Sequence, residues 1–223
     1  GSLLDETPSA STPFGEGIAV HGETIFDACF FSLGSNENTC FLLTGSEDCT
    51  SKVYLCEKNR IVDYHPLTPQ ESCVRAVCSS QIDKTSALLV VGGGKLVLQF
   101  FLVKLKYTSR TSGTSLDDVT FSLIGTGHNR QRATIDHRIN SVKAVPLDGD
   151  GRTYVVVAGD SAGQCHLYLV SEDGAVRHTP GIMVPCSSRP ILSLAMIPVH
   201  DRILVAMGTT AGDVTLYNLL PRS

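Results

Sequence analysis

The run Gly92-Gly93-Gly94-Lys95 is the stretch that most invites chemistry, because consecutive backbone N–H groups beside a lysine can cradle a phosphate. A phosphate loop also needs Ser or Thr after the lysine and a helix beyond it. Leu96-Val97-Leu98 follows instead and reads as strand, so the run is expected to be a hairpin turn. Gly15-Glu16-Gly17, Gly125-Thr126-Gly127 and Gly149-Asp150-Gly151 read as turns for the same reason. Glu47 and Asp48 beside Thr44 and Ser46 gather acids and hydroxyls as an acid–base pair would, but these side chains at adjacent positions serve a turn by bonding its own backbone. Gly159-Asp160-Ser161-Ala162-Gly163 has the spacing of a Gly-x-Ser-x-Gly elbow, but its residues read as a hairpin turn between two strands and not as a strand-to-helix turn; no His-Glu-x-x-His helix occurs, so no catalytic residue is assigned.

Eight cysteines raise the question of disulfides or metal. Cys29, Cys73, Cys78 and Cys165 sit inside apolar strand-like runs, in a chain large enough not to need stapling, and no Cys-x-x-Cys pair is present. Cys49 and Cys56 with a histidine would be the zinc candidates; small buried thiols are the reading adopted. No metal and no cofactor is expected. Reduced thiols without a signal peptide or a long apolar segment give a cytoplasmic location, with the nucleus as alternative, and no membrane partner.

Charge is informative only locally. The net charge is −4, yet Lys104 to Lys143 holds seven Lys and Arg against Asp117, Asp118 and Asp136. Lys104, Lys106, Arg110, Arg130, Arg132 and Arg138 therefore form a candidate basic patch for RNA phosphates or an acidic protein partner. The competing reading is a solvated loop, since no aromatic interleaves with Arg130 and Arg132 to stack bases.

The elements that position these residues come from a fourfold repeat. Tyr54, Phe101, Tyr168 and Tyr217 recur at intervals of 47, 67 and 49 residues, and Gly45, Gly92, Gly159 and Gly208 keep the same intervals. Before each glycine lies a short apolar run: Phe41-Leu42-Leu43, Leu88-Leu89-Val90-Val91, Val155-Val156-Val157-Ala158 and Ile203-Leu204-Val205-Ala206. Such runs are too short for helices and read as strands buried on both faces. After it come turn residues and a strand ending on the aromatic, so each unit is a set of antiparallel hairpins. A further strand precedes each, as in Phe26 to Phe30, Cys73 to Val77, Ser141 to Val145 and Leu192 to Met196. Self-similarity at this period predicts an all-β propeller of about four blades. The units span about 17–60, 61–106, 136–180 and 181–223; residues 1–16 read as a tail or linker and 107–135 as an insertion loop.

The order apolar strand, Gly-Ser-x-Asp turn, aromatic-ended strand resembles the WD-repeat family of β-propellers, in degenerate form. The chain has no Trp, and only Tyr217-Asn218 keeps a polar residue after the aromatic; none of the four units opens on the family's Gly-His dipeptide, with His137 as its relic. Seven blades of ~40 to 45 residues would need about 280 residues or more, so the resemblance implies part of a larger ring completed by another polypeptide segment. An open array would leave Phe30, Leu42, Leu194 and Leu216 uncovered. More narrowly, Leu43 to Asp48, Ser72 to Val77, Val91 to Leu96 and Ile139 to Ala144 look like consecutive blades of the large WD-repeat subunit that assists a tRNA ribose methyltransferase at the wobble nucleotide. That resemblance implies a non-catalytic scaffold with a methyltransferase partner and tRNA. The alternatives are a protein-interaction scaffold without RNA and, least supported, a propeller enzyme.

Overall fold

The computed structural model describes residues 21–58, 60–106, 115–128, 137–147, 152–179, 189–200 and 202–221. Four antiparallel sheets follow one another along the chain. The first is β1 (Ile25–Phe31), β2 (Thr39–Ser46), β3 (Ser51–Glu57) and β4 (Arg60–Pro66). The second is β5 (Val74–Gln81), β6 (Ser86–Gly93), β7 (Val97–Leu105) and β8 (Val119–His128), with a 3-10 turn at Leu116–Asp118 before β8. The third is β9 (Ile139–Pro146), β10 (Thr153–Asp160), β11 (Cys165–Ser171) and β12 (Val176–His178). The fourth, among the described residues, has three strands: β13 (Ile191–Val199), β14 (Arg202–Thr209) and β15 (Val214–Pro221).

Each sheet is an up-and-down meander in sequence order, and the first strands β1, β5, β9 and β13 touch in succession like spokes at a hub. Three apolar layers result, one between each pair of neighbours. Phe41, Leu43 and Val53 meet Val77, Leu89 and Phe101; Val90, Leu98 and Phe100 meet Val142, Val156 and Tyr168; Val155, Val157 and Leu167 meet Leu194, Val205 and Met207. β6 and β10 are buried on both faces, as their unbroken Val and Leu runs require. At about 1.5–3 kcal/mol for each fully buried aliphatic or aromatic side chain, these layers are the main term holding the sheets together. The architecture is that of a β-propeller arc, as the repeat predicts.

Several expectations need correction. The four repeated glycines do not make the turns. Gly45, Gly92, Gly159 and Gly208 lie inside β2, β6, β10 and β14, and none has positive φ. The left-handed residue comes four positions later in every unit: Cys49, Leu96, Gly163 and Gly212. In the second hairpin the turn therefore falls on Lys95 and Leu96, not on the triple glycine. Gly125 and Gly127 also lie in a strand, β8, where a Cβ would collide with Val176 and with the Tyr168 ring. Part of the expected insertion loop 107–135 is thus the outer strand of the second sheet. Its Val119, Phe121 and Leu123 alternate as a strand should, but the two glycines mask the pattern. Leu194 is buried against the third sheet, because the bulge between Ile191 and Ser193 turns it inward; Leu42 is half-buried, while Phe30 and Leu216 are exposed. The tail 1–16, Gly15 to Gly17 and Gly149 to Gly151 lie outside the described residues.

Candidate functional site

The six basic residues are not gathered into one described patch. Lys104 stands near the end of β7 opposite Ser86, and its Nζ lies 2.7 Å from Glu172 Oε1 on the third sheet. Lys106 Nζ donates to the Asp117 carbonyl at 2.7 Å. Lys104 shares an open cleft of about 460 Å³ with Arg152, Glu172 and Asp173, so its surroundings carry both signs of charge. Arg138 is at the other end of the ladder: it bridges Gly94, and its N–H donates to Ser161 Oγ. Ser86 and Gly94 are eight residues apart, roughly 27 Å at about 3.4 Å per residue. Arg110, Arg130 and Arg132 lie outside the described residues.

A dense polar constellation in the first sheet is one that the sequence half reveals. Thr44 ends the apolar part of β2, and Asp48 closes the turn to β3, accepting from the Thr50 N–H at 2.9 Å while Ser46 Oγ accepts from the Asp48 N–H. His21 completes it. Its Nδ1 lies 2.9 Å from Asp48 Oδ2 and its Nε2 2.8 Å from Thr44 Oγ1. The ring thus bridges the turn carboxylate and the strand hydroxyl, one nitrogen to each. Burial raises the Asp48 carboxyl, but hydrogen bonds from the Thr50 hydroxyl, His21 and the N–H groups of Thr50 and Gly22 outweigh it and hold the group well below the usual range. Burial pushes the Tyr54 phenol up, against a lowering hydrogen bond with Thr44.

Hydroxyl, imidazole and carboxylate in line is the order of a nucleophile, base and orienting acid. Thr44, however, is only 3% exposed and lies under the equally buried Tyr54. A substrate carbonyl has no approach to that oxygen, so the network locks the strand–turn–strand corner of the first sheet. The turn reading of Thr44, Ser46, Glu47 and Asp48 is thereby extended to His21, whose position before β1 offered no periodic signal. The third sheet builds a different corner. Asp160 Oδ1 accepts from the N–H groups of Ala162 and Gln164, and Oδ2 lies 2.8 Å from Nε2 of the buried His166.

The zinc candidates are not brought together: Cys49 occupies the turn before β3, whereas Cys56 is at the far end of β3 opposite Cys40. Among the described residues no three His, Cys, Asp or Glu side chains are placed to hold a metal ion. The described cysteines are free thiols. No described helix is long and apolar enough to cross a membrane.

The outer strand β4 is exposed along its whole length. Among the described strands it pairs only with β3, and Ile61, Val62 and Tyr64 present apolar surface there, with Lys52 Nζ 5.9 Å from the Tyr64 ring centre. His65 near its end stacks on Phe121 of β8, with ring centres 4.4 Å apart, and ties the strand to the second sheet.

No family model and no curated protein matches the chain. Solved structures of WD40 propeller proteins do. A chain of the mitotic checkpoint complex matches with a TM-score of 0.57 and 12% identity over 90% of this chain and 50% of its own. Chaetomium thermophilum Sqt1, solved with the N-terminus of ribosomal protein L10, matches with a TM-score of 0.56 and 15% identity over 89% of this chain and 46% of its own. The chain spans about half the length of these structures. Four consecutive antiparallel sheets meeting at a hub, together with these likenesses, give the fold of a WD-repeat β-propeller.

Proposed function

We propose that this propeller arc is a non-catalytic, cytoplasmic scaffold that binds a tRNA ribose methyltransferase and assists methylation of the anticodon wobble nucleotide. The observation that carries the scaffold reading is β4: an outer strand whose second edge pairs with no described strand, with exposed Ile61, Val62 and Tyr64. Exposed apolar surface on an unpaired edge is what a partner segment covers, by strand addition or by side-chain packing. The methylation reading rests on the resemblance of Leu43 to Asp48, Ser72 to Val77 and Val91 to Leu96 to blades of the assisting subunit. Lys104, paired with Glu172 of the third sheet, and Lys106, which donates to the Asp117 carbonyl, are the described cations of the basic stretch that a phosphate backbone would have to engage.

The test is reconstitution of the chain with a wobble-nucleotide ribose methyltransferase and a tRNA substrate, reading 2′-O-methylation by mass spectrometry of the nucleosides. A rise in methylation on adding the chain, lost in Val62→Asp, is the expected result. No change in methylation and no binding of enzyme or tRNA would overturn it. Binding of a protein without RNA would favour the second reading, a protein-interaction scaffold of another complex. Sqt1, which holds a ribosomal-protein terminus, supports that reading by its fold alone.

A further inference from the structure

Cys40 and Cys56 stand directly opposite each other on β2 and β3, one step inside the last pair of that ladder, Thr39 and Glu57. The Lys58 N–H donates to the Asn38 carbonyl at 3.2 Å, so the pair two residues further in is also one whose backbones exchange hydrogen bonds. Such pairs hold their Cα atoms about 5.5 Å apart, inside the range of roughly 4.4–6.8 Å that a disulfide bridges. The side chains already meet, since a hydrogen bond joins the two thiols. Both are reduced, and neither is fully buried. No other two described cysteines face each other across a ladder: Cys29 is opposite Leu43, Cys78 opposite Val90 and Cys165 opposite Gly159.

A cleft of about 420 Å³ lies over the pair at this end of the sheet. Glu37 and Asn38 line it from the segment before β2, Lys58 from the turn between β3 and β4, and Arg60 from the start of β4. Because these residues come from turns and strand ends, a small molecule reaches the thiols from the end of the sheet. Two cations against one carboxylate give the cleft a positive balance, which favours an anionic ligand. Burial first, and then the neighbouring Cys40, pushes the Cys56 thiol up to about 11. Their hydrogen bond acts in the same direction, so Cys56 is held as the protonated member of the pair and Cys40 is the sulfur left to attack.

We propose that Cys40 and Cys56 are the site of a reversible cross-strand disulfide, formed by exchange with a small disulfide of the glutathione class whose carboxylates Lys58 and Arg60 draw into the cleft. The Cys40 thiolate attacks one sulfur of the small disulfide, whose S–S bond breaks, and one half leaves as a thiolate that takes up a proton. Cys56 then loses its proton, attacks the Cys40 sulfur of the mixed disulfide and expels the second half. Two protein thiols are oxidised to one disulfide, and the small disulfide is reduced to two thiols. In a reducing compartment a bond of this kind is transient and reports oxidation. Its place gives it a structural reach: Cys56 also pairs with Ile61 across a register shift, so the bond would fasten β2 to β3 at the root of the outer strand β4. None of this depends on the methylation reading.

The test is to treat the full, reduced chain with oxidised glutathione at neutral pH and follow it by intact mass and by peptide mapping after alkylation. The expected product is lighter by two hydrogens, has Cys40 linked to Cys56, keeps its far-ultraviolet circular dichroism and returns to the starting mass in excess reduced glutathione. Cys56→Ser should stop at the mixed disulfide, with glutathione held on Cys40, whereas Cys40→Ser should leave residue 56 unmodified over the same time. The double variant Lys58→Gln, Arg60→Gln should slow oxidation by glutathione disulfide several-fold without slowing oxidation by cystamine, a cationic disulfide. A chain that keeps both thiols, a bond that forms only in urea, or a Cys56→Ser variant that traps no glutathione on Cys40 overturns the proposal. Equal slowing by the two reagents overturns the part given to Lys58 and Arg60.

Discussion

The side chain of Ile191 occupies the space that a Cβ on Gly159 would need, with Cγ2 only 2.5 Å from that position. The glycine is there for contact between sheets, since its φ lies outside the left-handed region. Gly159→Ala is therefore expected to destabilise the protein by about 1–3 kcal/mol, the range for overpacking a filled core. Denaturant melts of the two proteins measure it. A double variant Gly159→Ala, Ile191→Ala that loses less than the sum of the two single losses would tie the effect to this contact, because alanine at 191 lacks the Cγ2 methyl, whereas an unchanged midpoint in Gly159→Ala would remove the glycine from the junction.

The repeat was legible in the sequence because the second strand of each sheet is buried on both faces and reads as an uninterrupted apolar run. What the glycines do was not. A glycine beside turn residues reads as a turn, and only the neighbouring sheet, far away in sequence, shows that Val74, Ile139 or Ile191 fills the missing side chain. The outer strands were hidden for a related reason. β4 buries none of its residues fully by packing against another sheet, and β12 has only three residues, so neither leaves a strong alternation to detect.

Asp48 gives the first sheet an acid-sensitive corner. Its carboxyl is held below the ordinary range, so its contribution is fully present above the unfolded value of about 3.9 and is lost as pH falls through the lower folded value. Asp48→Asn should cost about 1.5–3 kcal/mol near neutral pH, the worth of hydrogen bonds to a charged group. The variant should also show a shallower loss of stability between pH 4 and more acidic solutions than the wild type. Parallel acid-side slopes for the two proteins would exclude Asp48 as their source.

The candidate site was legible in part. Asp48, Thr44 and Ser46 have the chemistry of a turn and form one, but His21 joins them from 27 residues before Asp48, a distance that no local pattern spans. The basic cluster shows the converse. Lys104 and Arg138 are neighbours in a count of charge along the chain, yet a strand ladder separates them in space.

Burial should order the reactivity of the thiols. Cys78 is fully enclosed between the second and third sheets, and desolvation drives its thiol far above the ordinary value, while burial pushes Cys29 up to about 11. Because the thiolate is the reacting form, a disulfide reagent near neutral pH should modify Cys78 only as fast as the protein unfolds. Mass spectrometry of quenched time points resolves each site. Labelling of Cys78 at the rate of an exposed thiol would mean that the two sheets separate readily.

Four hairpins place a left-handed residue at one equivalent position, and the chain fills it with Gly163 and Gly212 in two sheets but with Cys49 and Leu96 in the others. A residue with a Cβ loses about 1–2 kcal/mol in that conformation, and glycine in place of it gives back about 0.5–1 kcal/mol in backbone entropy. Cys49 is only partly buried, and its side chain makes a weak contact, 3.7 Å from Sγ to the Glu47 carbonyl, while its backbone carbonyl, which glycine would keep, accepts from the Gln70 N–H. Cys49→Gly should therefore stabilise the protein, by about 0.5–1 kcal/mol once the two terms are combined. Leu96 has the same backbone strain but is fully buried in the layer between the second and third sheets. Removing its side chain forfeits about 1.5–3 kcal/mol of burial, with a cavity left behind, so Leu96→Gly should destabilise by more than 1 kcal/mol. Urea melts of the two variants against the wild type should move in opposite directions. A shift of both to lower midpoints would show that the strain at Cys49 is smaller than the entropy that glycine adds to the unfolded chain.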